Sequence, residues 1–317
     1  MKQKILMICT LLALCLGTIL FTTQIGRTQL VNRNEFGIPN QPNPYFGSPP
    51  TNVVQTSSTA CALRPDTSPT ASNLPKAVVP TQLPLSRFRQ VGYPVNPATA
   101  TLNNLSSSTR PFSSYQPKES IALADPTNYG DRFVFDLYGR PAYYPPIVVI
   151  HETVGSARSA INLFQTRHSR DAQQVSYHAL IKRDGEIVYL VPPDKRAFGA
   201  GNSVFQGTHG QETVKTHPNY PPSVNNFAYH VSLETPRDGS NNRNRHSGYT
   251  QTQYQSLAWL VAKTGVPYSR ITTHKGVDRS GSRKDPRSFD ESRFLGFLQV
   301  LPQTQEIVIG CQPPQSY

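Results

Sequence analysis

Three residues in this chain have types and settings suited to holding a divalent metal: His151, His274 and Asp285. His151 ends the run Ile147-Val148-Val149-Ile150. His274 follows Ile271-Thr272-Thr273, and Asp285 lies eleven positions further on, before Pro286. Catalytic zinc sites commonly take three protein ligands from histidine and carboxylate and keep the fourth position for water. Strand ends suit such ligands because rigid backbone fixes their geometry. Residue type alone leaves the question open. There is no HExxH, eight histidines allow many triplets, and a lone strand-end histidine reads more readily as an ordinary hydrogen-bonded residue.

The elements that must position these residues are legible from periodicity. The β-branched run at 147–150 reads as a strand covered on both faces, and Phe133-Val134-Phe135 as another. Ala157, Ala160, Ile161 and Phe164 recur at helical spacing. Segments 176–182 and 186–191 flank Asp184-Gly185, a two-residue hairpin signal. Residues 226–234 alternate, with Phe227, Tyr229, Val231 and Leu233 on one side and His230, Ser232 and Glu234 on the other. Thr250 and Gln253 resemble a capping box that opens a helix stopped by Gly265 and Pro267. Residues 271–273 read as a short strand and 292–298 as a last helix. Strands interleaved with helices predict an α/β domain with a central mixed β-sheet flanked by helices.

The chain has 317 residues, 29 of them proline, and a formal net charge of +12. That charge attracts polyanions such as an anionic cell wall. The lysines and arginines are scattered without aromatic interleaving, which argues against a nucleic-acid partner. Lys2 and Lys4 precede an apolar run over residues 5–21, the plan of a signal peptide or membrane anchor, so export is expected, to the periplasm, the cell wall or the exterior. Pro, Ser, Thr and Asn dominate the next stretch, a composition that cannot bury enough apolar area to offset chain entropy. The expected layout is a signal or anchor at 1–23, a linker at 24–115, a single catalytic domain at 116–303 and a tail at 304–317. Cys9 and Cys15 fall in the apolar run, leaving Cys61 and Cys311 as either a disulfide pair or two free thiols.

Five short motifs stand in order: Ile150-His151-Glu152-Thr153, Ser176-Tyr177-His178 leading to Asp184-Gly185, Val231-Ser232-Leu233-Glu234, Thr273-His274, and Arg283-Lys284-Asp285-Pro286. Together the series resembles the zinc-dependent N-acetylmuramoyl-L-alanine amidase family, shared with phage lysozyme-type amidases and peptidoglycan recognition proteins, over residues 145–297. The resemblance implies that His151, His274 and Asp285 bind Zn2+. It implies that Tyr177 assists catalysis and that Glu234 is a candidate proton shuttle. The substrate it implies is peptidoglycan, cut by a monomer between N-acetylmuramic acid and the L-alanine of the stem peptide. Members that bind wall fragments without hydrolysis supply the alternative.

Two departures bear on this. Many members carry a lysine two residues before the third ligand. Here Arg283 holds that position and Lys284 follows; either cation can stabilise an oxyanion, but arginine cannot act as an acid at neutral pH. Gly199, in Ala197-Phe198-Gly199-Ala200-Gly201, stands where many members have a histidine near the substrate cleft. His168, His178, His209, His217, His230 and His246 are left as structural or surface residues. His178 and His230 are near enough to the motifs for one of them to touch substrate.

Overall fold

The run from Ile147 has β-branched side chains that fit a pleated surface, and none that asks for water, so it needs cover on both faces. The computed structural model describes residues 61–65, 82–91 and 115–310. Among them the strands are, in chain order, β1 (Glu119–Ile121), β2 (Tyr129–Asp131), β3 (Ile147–Glu152), β4 (Ala179–Ile181), β5 (Ile187–Tyr189), β6 (Lys195–Ala197), β7 (Phe205–Gly207), β8 (Gly210–Glu212), β9 (Ala228–Leu233) and β10 (Ile271–Thr273). The helices are α1 (Ala157–Gln165), α2 (Gln251–Ala262), α3 (His274–Val277) and α4 (Glu291–Leu298). A six-stranded sheet of order β1-β5-β4-β9-β3-β10 places β3 and β9 inside it, and every residue of both is buried. Only the β4–β5 pairing is antiparallel; β4, β9, β3 and β10 run parallel side by side. The domain is therefore α/β with a mixed sheet, as the pattern predicts.

Alternation sorts the side chains. Val148, Ile150, Ile181, Val231 and Leu233 pack against Tyr254, Leu257, Ala258 and Val261 of α2 and Phe294 and Leu298 of α4. Each such fully buried aliphatic side chain contributes about 1.5–3 kcal/mol. On the other face Leu180 and Val188 meet Ala157, Ala160 and Phe164 of α1, while Ile147, Val149 and Ala228 meet Phe205, Val214 and Val277. Phe227 departs from the predicted alternation: it joins that second face, because the chain there leaves a short 3-10 turn with ψ near 3° rather than an extended conformation.

The capping box on α2 forms as predicted, Thr250 Oγ1 accepting from Gln253 N and the Gln253 side chain accepting from Thr250 N. The hairpin differs by one residue. Lys182 N–H donates to Glu186 O and Gly185 takes a φ of +89°, so the turn is the three-residue Arg183-Asp184-Gly185, with glycine supplying the left-handed position. Phe133 and Phe135 make only isolated bridges, to Ala62 and Pro141, and no strand.

Parts of the expected linker and tail pack against the domain. Inside the stretch read as linker, Phe88 is buried and stacks on Tyr189 at 5.2 Å, and Ala62 N–H donates to Arg132 O. Inside the stretch read as tail, Ile307 is buried in the core and its N–H donates to Lys263 O. Isolated apolar residues in a polar stretch are enough to dock it, and composition averages hide them. The apolar run at 5–21 lies outside the described residues, as does Cys311; Cys61 is disulfide-bonded. Among the described residues no helix is long and apolar enough to cross a membrane.

Candidate metal centre

Parallel pairing of β3 with β10, with Ile150 opposite Thr273, brings the residues that follow this pair, His151 and His274, to the same sheet end. Ligand sites in open α/β sheets gather at the carboxyl ends of parallel strands. Thr273 then caps α3, its hydroxyl accepting from Gly276 N at 3.0 Å, and this turns the chain so that His274 faces back over the sheet. Asp285 is returned to the same place by a backbone bond, Lys275 N–H to Asp285 O at 2.9 Å.

One carboxylate oxygen sits between the two imidazoles. Asp285 Oδ2 lies 3.1 Å from His274 Nδ1 and 3.4 Å from His151 Nδ1, and one ligand atom from each residue lies within 4.8 Å of the others. All three residues are buried. His151 Nδ1 is inaccessible to solvent and has no hydrogen-bond partner, which is costly for a buried nitrogen unless a ligand satisfies it. Two neutral imidazoles and a carboxylate, converging with one orphaned nitrogen among them, fit zinc. Burial, then the neighbouring His274, lower the His151 pKa to about 4 against the pull of Asp285, so the ring is neutral and its lone pair available. Burial alone would raise the Asp285 carboxyl, but the adjacent His151 and His274 rings hold it well below the usual carboxylate range.

A further set of bonds fastens these three residues to the scaffold. Glu152, next to His151, points to the opposite face, where Glu152 Oε2 accepts from Tyr249 Oη at 2.8 Å and contacts His246 Nε2 at 2.9 Å. Its other oxygen pairs with Arg287 Nε, two residues after Asp285. Arg287 also donates to the carbonyls of Gly239, Asn241 and Arg243, so one buried guanidinium ties the third ligand's segment to β3 and to the loop after β9.

Of the other residues expected in the site, Tyr177 is there. Its ring stacks on His151 at 4.4 Å and meets Phe164 edge-on at 5.2 Å, and burial, with Asp285 nearby, pushes its hydroxyl pKa upward. Arg283 is exposed, and its charge acts on both His151 and Tyr177. Lys284 reaches elsewhere, Nζ donating to Asn242 O at 3.3 Å.

Glu234 is not brought to the cluster. It follows the last residue of β9, and its carboxylate accepts from Ala157 N and Arg183 N, each at 2.9 Å. Free N–H groups at the start of α1 attract a carboxylate strongly enough to commit it there. The residue of β9 in register with His151 is Ser232, buried, with its hydroxyl unpartnered. His230, two residues earlier on the same face, is fully buried beside His151, with 2.9 Å between His151 Nε2 and His230 Nδ1. From sequence His230 is a structural or surface residue near enough to the motifs to touch substrate, and its alternation with Ser232 puts it on the face of β9 that carries the site.

Residues 141–288 match the family model described as N-acetylmuramoyl-L-alanine amidase. The 1,6-anhydro-N-acetylmuramyl-L-alanine amidase AmpD of Escherichia coli (strain K12) is 40% identical over 125 residues, 38% of this chain and 57% of that protein. Its namesake from Citrobacter freundii is 34% identical over 129 residues, 39% of this chain and 58% of that protein. The chain thus spans somewhat under two thirds of the length of these relatives. Among solved structures, the crystal structure of the Se-Met AmpD derivative aligns over 59% of this chain and 97% of that one, at 25% identity and a TM-score of 0.41.

Proposed function

We propose that this chain, whose residues 141–288 match the N-acetylmuramoyl-L-alanine amidase family model, is a zinc-dependent hydrolase that cuts peptidoglycan between N-acetylmuramic acid and the L-alanine of the stem peptide. The observation that carries the zinc reading is the convergence of His151, His274 and Asp285 around an orphaned buried nitrogen. Zinc held by that set supplies Lewis acidity toward the scissile carbonyl and lowers the pKa of water toward ~7. The chain's own contribution is electrostatic and positional. Tyr177, kept protonated, donates to the oxyanion as it forms, and Arg283 adds a permanent positive charge on the same side. One such donor is worth ~2.7–4 kcal/mol of barrier. Lys284 is the weaker candidate because Asn242 O already engages it. The names of the relatives make 1,6-anhydro-N-acetylmuramyl peptides a substrate form to assay beside intact wall.

Export of the protein is supported by the apolar run at 5–21 and by the disulfide at Cys61, since disulfides persist in oxidising compartments. Binding without hydrolysis is the second reading, and one observation favours it. Three carboxylates close in sequence to the ligands or the β9 motif are engaged elsewhere: Glu152 by Arg287, Glu234 by backbone N–H groups, and Asp278 by Ser280 and Arg283 N.

Digestion of purified sacculi and of soluble anhydromuropeptides by the wild type and by His274→Ala, with products read by mass spectrometry, separates these readings. Free stem peptide from the wild type alone supports the hydrolase. Retention of fragments without cleavage supports the binding protein. Broken glycosidic bonds contradict both.

A further inference from the structure

His230 is the one side chain on β9 whose ring reaches a ligand of the metal cluster, and its surroundings hold it there from three directions. Its backbone N–H donates to His178 Nδ1 at 2.9 Å. His178 Nδ1 therefore carries the lone pair, and His178 Nε2–H donates to Lys195 O at 3.0 Å. Arg132, buried and bonded to the carbonyls of Pro193, Asn225, Asn226 and Ala228, packs behind His178. In front, the His230 ring lies over Gly199. A Cβ built on Gly199 would stand 2.6 Å from His230 Cγ and Nδ1, closer than any side chain tolerates. The third direction is His151, whose Nε2 meets His230 Nδ1 at 2.9 Å.

Two imidazole nitrogens at that distance share one proton: one ring donates and the other accepts. A histidine that gives its Nδ1 lone pair to a metal must carry its proton on Nε2, and such ligands almost always donate that proton to a fixed outer partner. We propose that His230 is that partner: it accepts the Nε2–H of His151, fixes the ligand's tautomer and ring angle, and is seated by the absence of a side chain at Gly199. The inference rests on the reading of His151 as a zinc ligand. It also accounts for glycine at 199, where the family pattern carries histidine: the space is taken by a histidine from the neighbouring strand. His230 is a positioning residue, acting through His151.

The test uses the full chain and zinc alone. In the metal-free protein, 15N NMR of the histidine rings should show His151 as the Nε2–H tautomer, and His230→Phe, which keeps the ring shape but cannot accept, should lose that signature. Zinc affinity, measured by chelator competition, should fall 10–100-fold in His230→Phe. His230→Asn places an acceptor oxygen close to where Nδ1 stands and should recover most of the loss. Gly199→Ala should weaken zinc binding in the wild-type background and have no further effect in His230→Ala, a coupling that unrelated destabilisation would not produce. Wild-type affinity in both His230→Phe and His230→Asn, or a His151 ring protonated on Nδ1 in the wild type, would overturn the inference. A wild type that shows the expected tautomer but takes up no zinc would instead sink the metal reading and leave the pairing intact.

Discussion

The Glu234 carboxylate accepts a hydrogen bond from the backbone N–H of Ala157, the first residue of α1, at 2.9 Å. The bond ties the end of the central strand to the helix that covers the site face. It makes Glu234 an anchor for α1, with its carboxylate on Ala157 N and Arg183 N rather than at the cluster. Glu234→Gln keeps one acceptor and loses the charge at the helix start, so stability should fall by about 1 kcal/mol. Turnover of soluble muropeptide should change less than tenfold. A loss of activity of several hundredfold at unchanged melting temperature would return Glu234 to the chemistry.

Removing a residue of the proposed zinc set should behave differently. His274→Ala leaves two of three donors and Asp285→Ala leaves two imidazoles, so each should drop zinc content from about one ion per chain toward zero. Hydrolysis should vanish with it. Far-UV circular dichroism should stay unchanged, because neither side chain belongs to the main core clusters. Full zinc content in either variant, measured by atomic emission, would place the metal elsewhere.

Much of this was legible in the sequence, and the gaps have physical reasons. The strand at 147–150, the capping box and a histidine at each of two strand ends follow from residue type and local spacing, which act over a few positions. What could not be read are partnerships set by the third dimension. Glu234 and Ser232 both alternate onto the site face, and only the arrival of α1 decides which of them is drawn away. His230 looks like any strand histidine until the chain folds Gly199 against it. Arg287 gives no local sign that it closes a network with Glu152, 135 residues earlier. The docking of Phe88 on Tyr189 likewise needs the sheet edge before it means anything.

Acid should unfold the metal-free protein earlier than its carboxylates alone would require. His151, His178 and His230 are all buried, and burial lowers the pKa of each below its ordinary value, His151 to about 4. The unfolded chain binds these protons near pH 6.5 while the folded chain resists them. The stabilisation is thus complete above pH 6.5 and is lost as pH falls from there toward 4 and below. Each histidine adds up to about 1.4 kcal/mol per pH unit to that slope. Melting temperatures in chelator should fall steadily between pH 6.5 and 4.5, and His178→Gln should flatten the profile. A flat profile for the wild type would mean that these rings are protonated in the folded state.

Glu186 supplies an opposite kind of anchor at the hairpin. Ser120 Oγ donates to Glu186 Oε1 at 2.6 Å, and Lys182 and Lys118 pair with Oε2. The Ser120 bond and the two lysines depress its pKa from 4.5 to about 2, against desolvation. Its stabilisation is present above pH 4.5 and disappears as pH falls through 2. Glu186→Gln should cost much more stability at pH 7 than at pH 2, as judged by urea unfolding at both values. An equal cost at both would show that shape rather than charge matters there.

The ion pair between Glu152 and Arg287 should link stability to the proposed zinc site. Both side chains are buried, and Glu152 also holds His246 and Tyr249. Removing one partner of a buried pair strands the other charge without water, at a cost of about 3–5 kcal/mol. Arg287→Met should therefore destabilise strongly, because Glu152 remains buried without the guanidinium that pairs with it. Arg287→Met combined with Glu152→Gln should recover much of that loss, since a neutral amide can still meet His246 and Tyr249. The zinc readout separates this network from ordinary packing. Arg287 lies two residues after Asp285, so the single variant should weaken zinc binding severalfold even at a temperature where it is fully folded. The double variant should recover stability more completely than zinc affinity, because the amide cannot replace the guanidinium's bonds to Gly239, Asn241 and Arg243. If zinc affinity instead followed stability in strict proportion across both variants, the network would support the fold alone and have no part in placing Asp285.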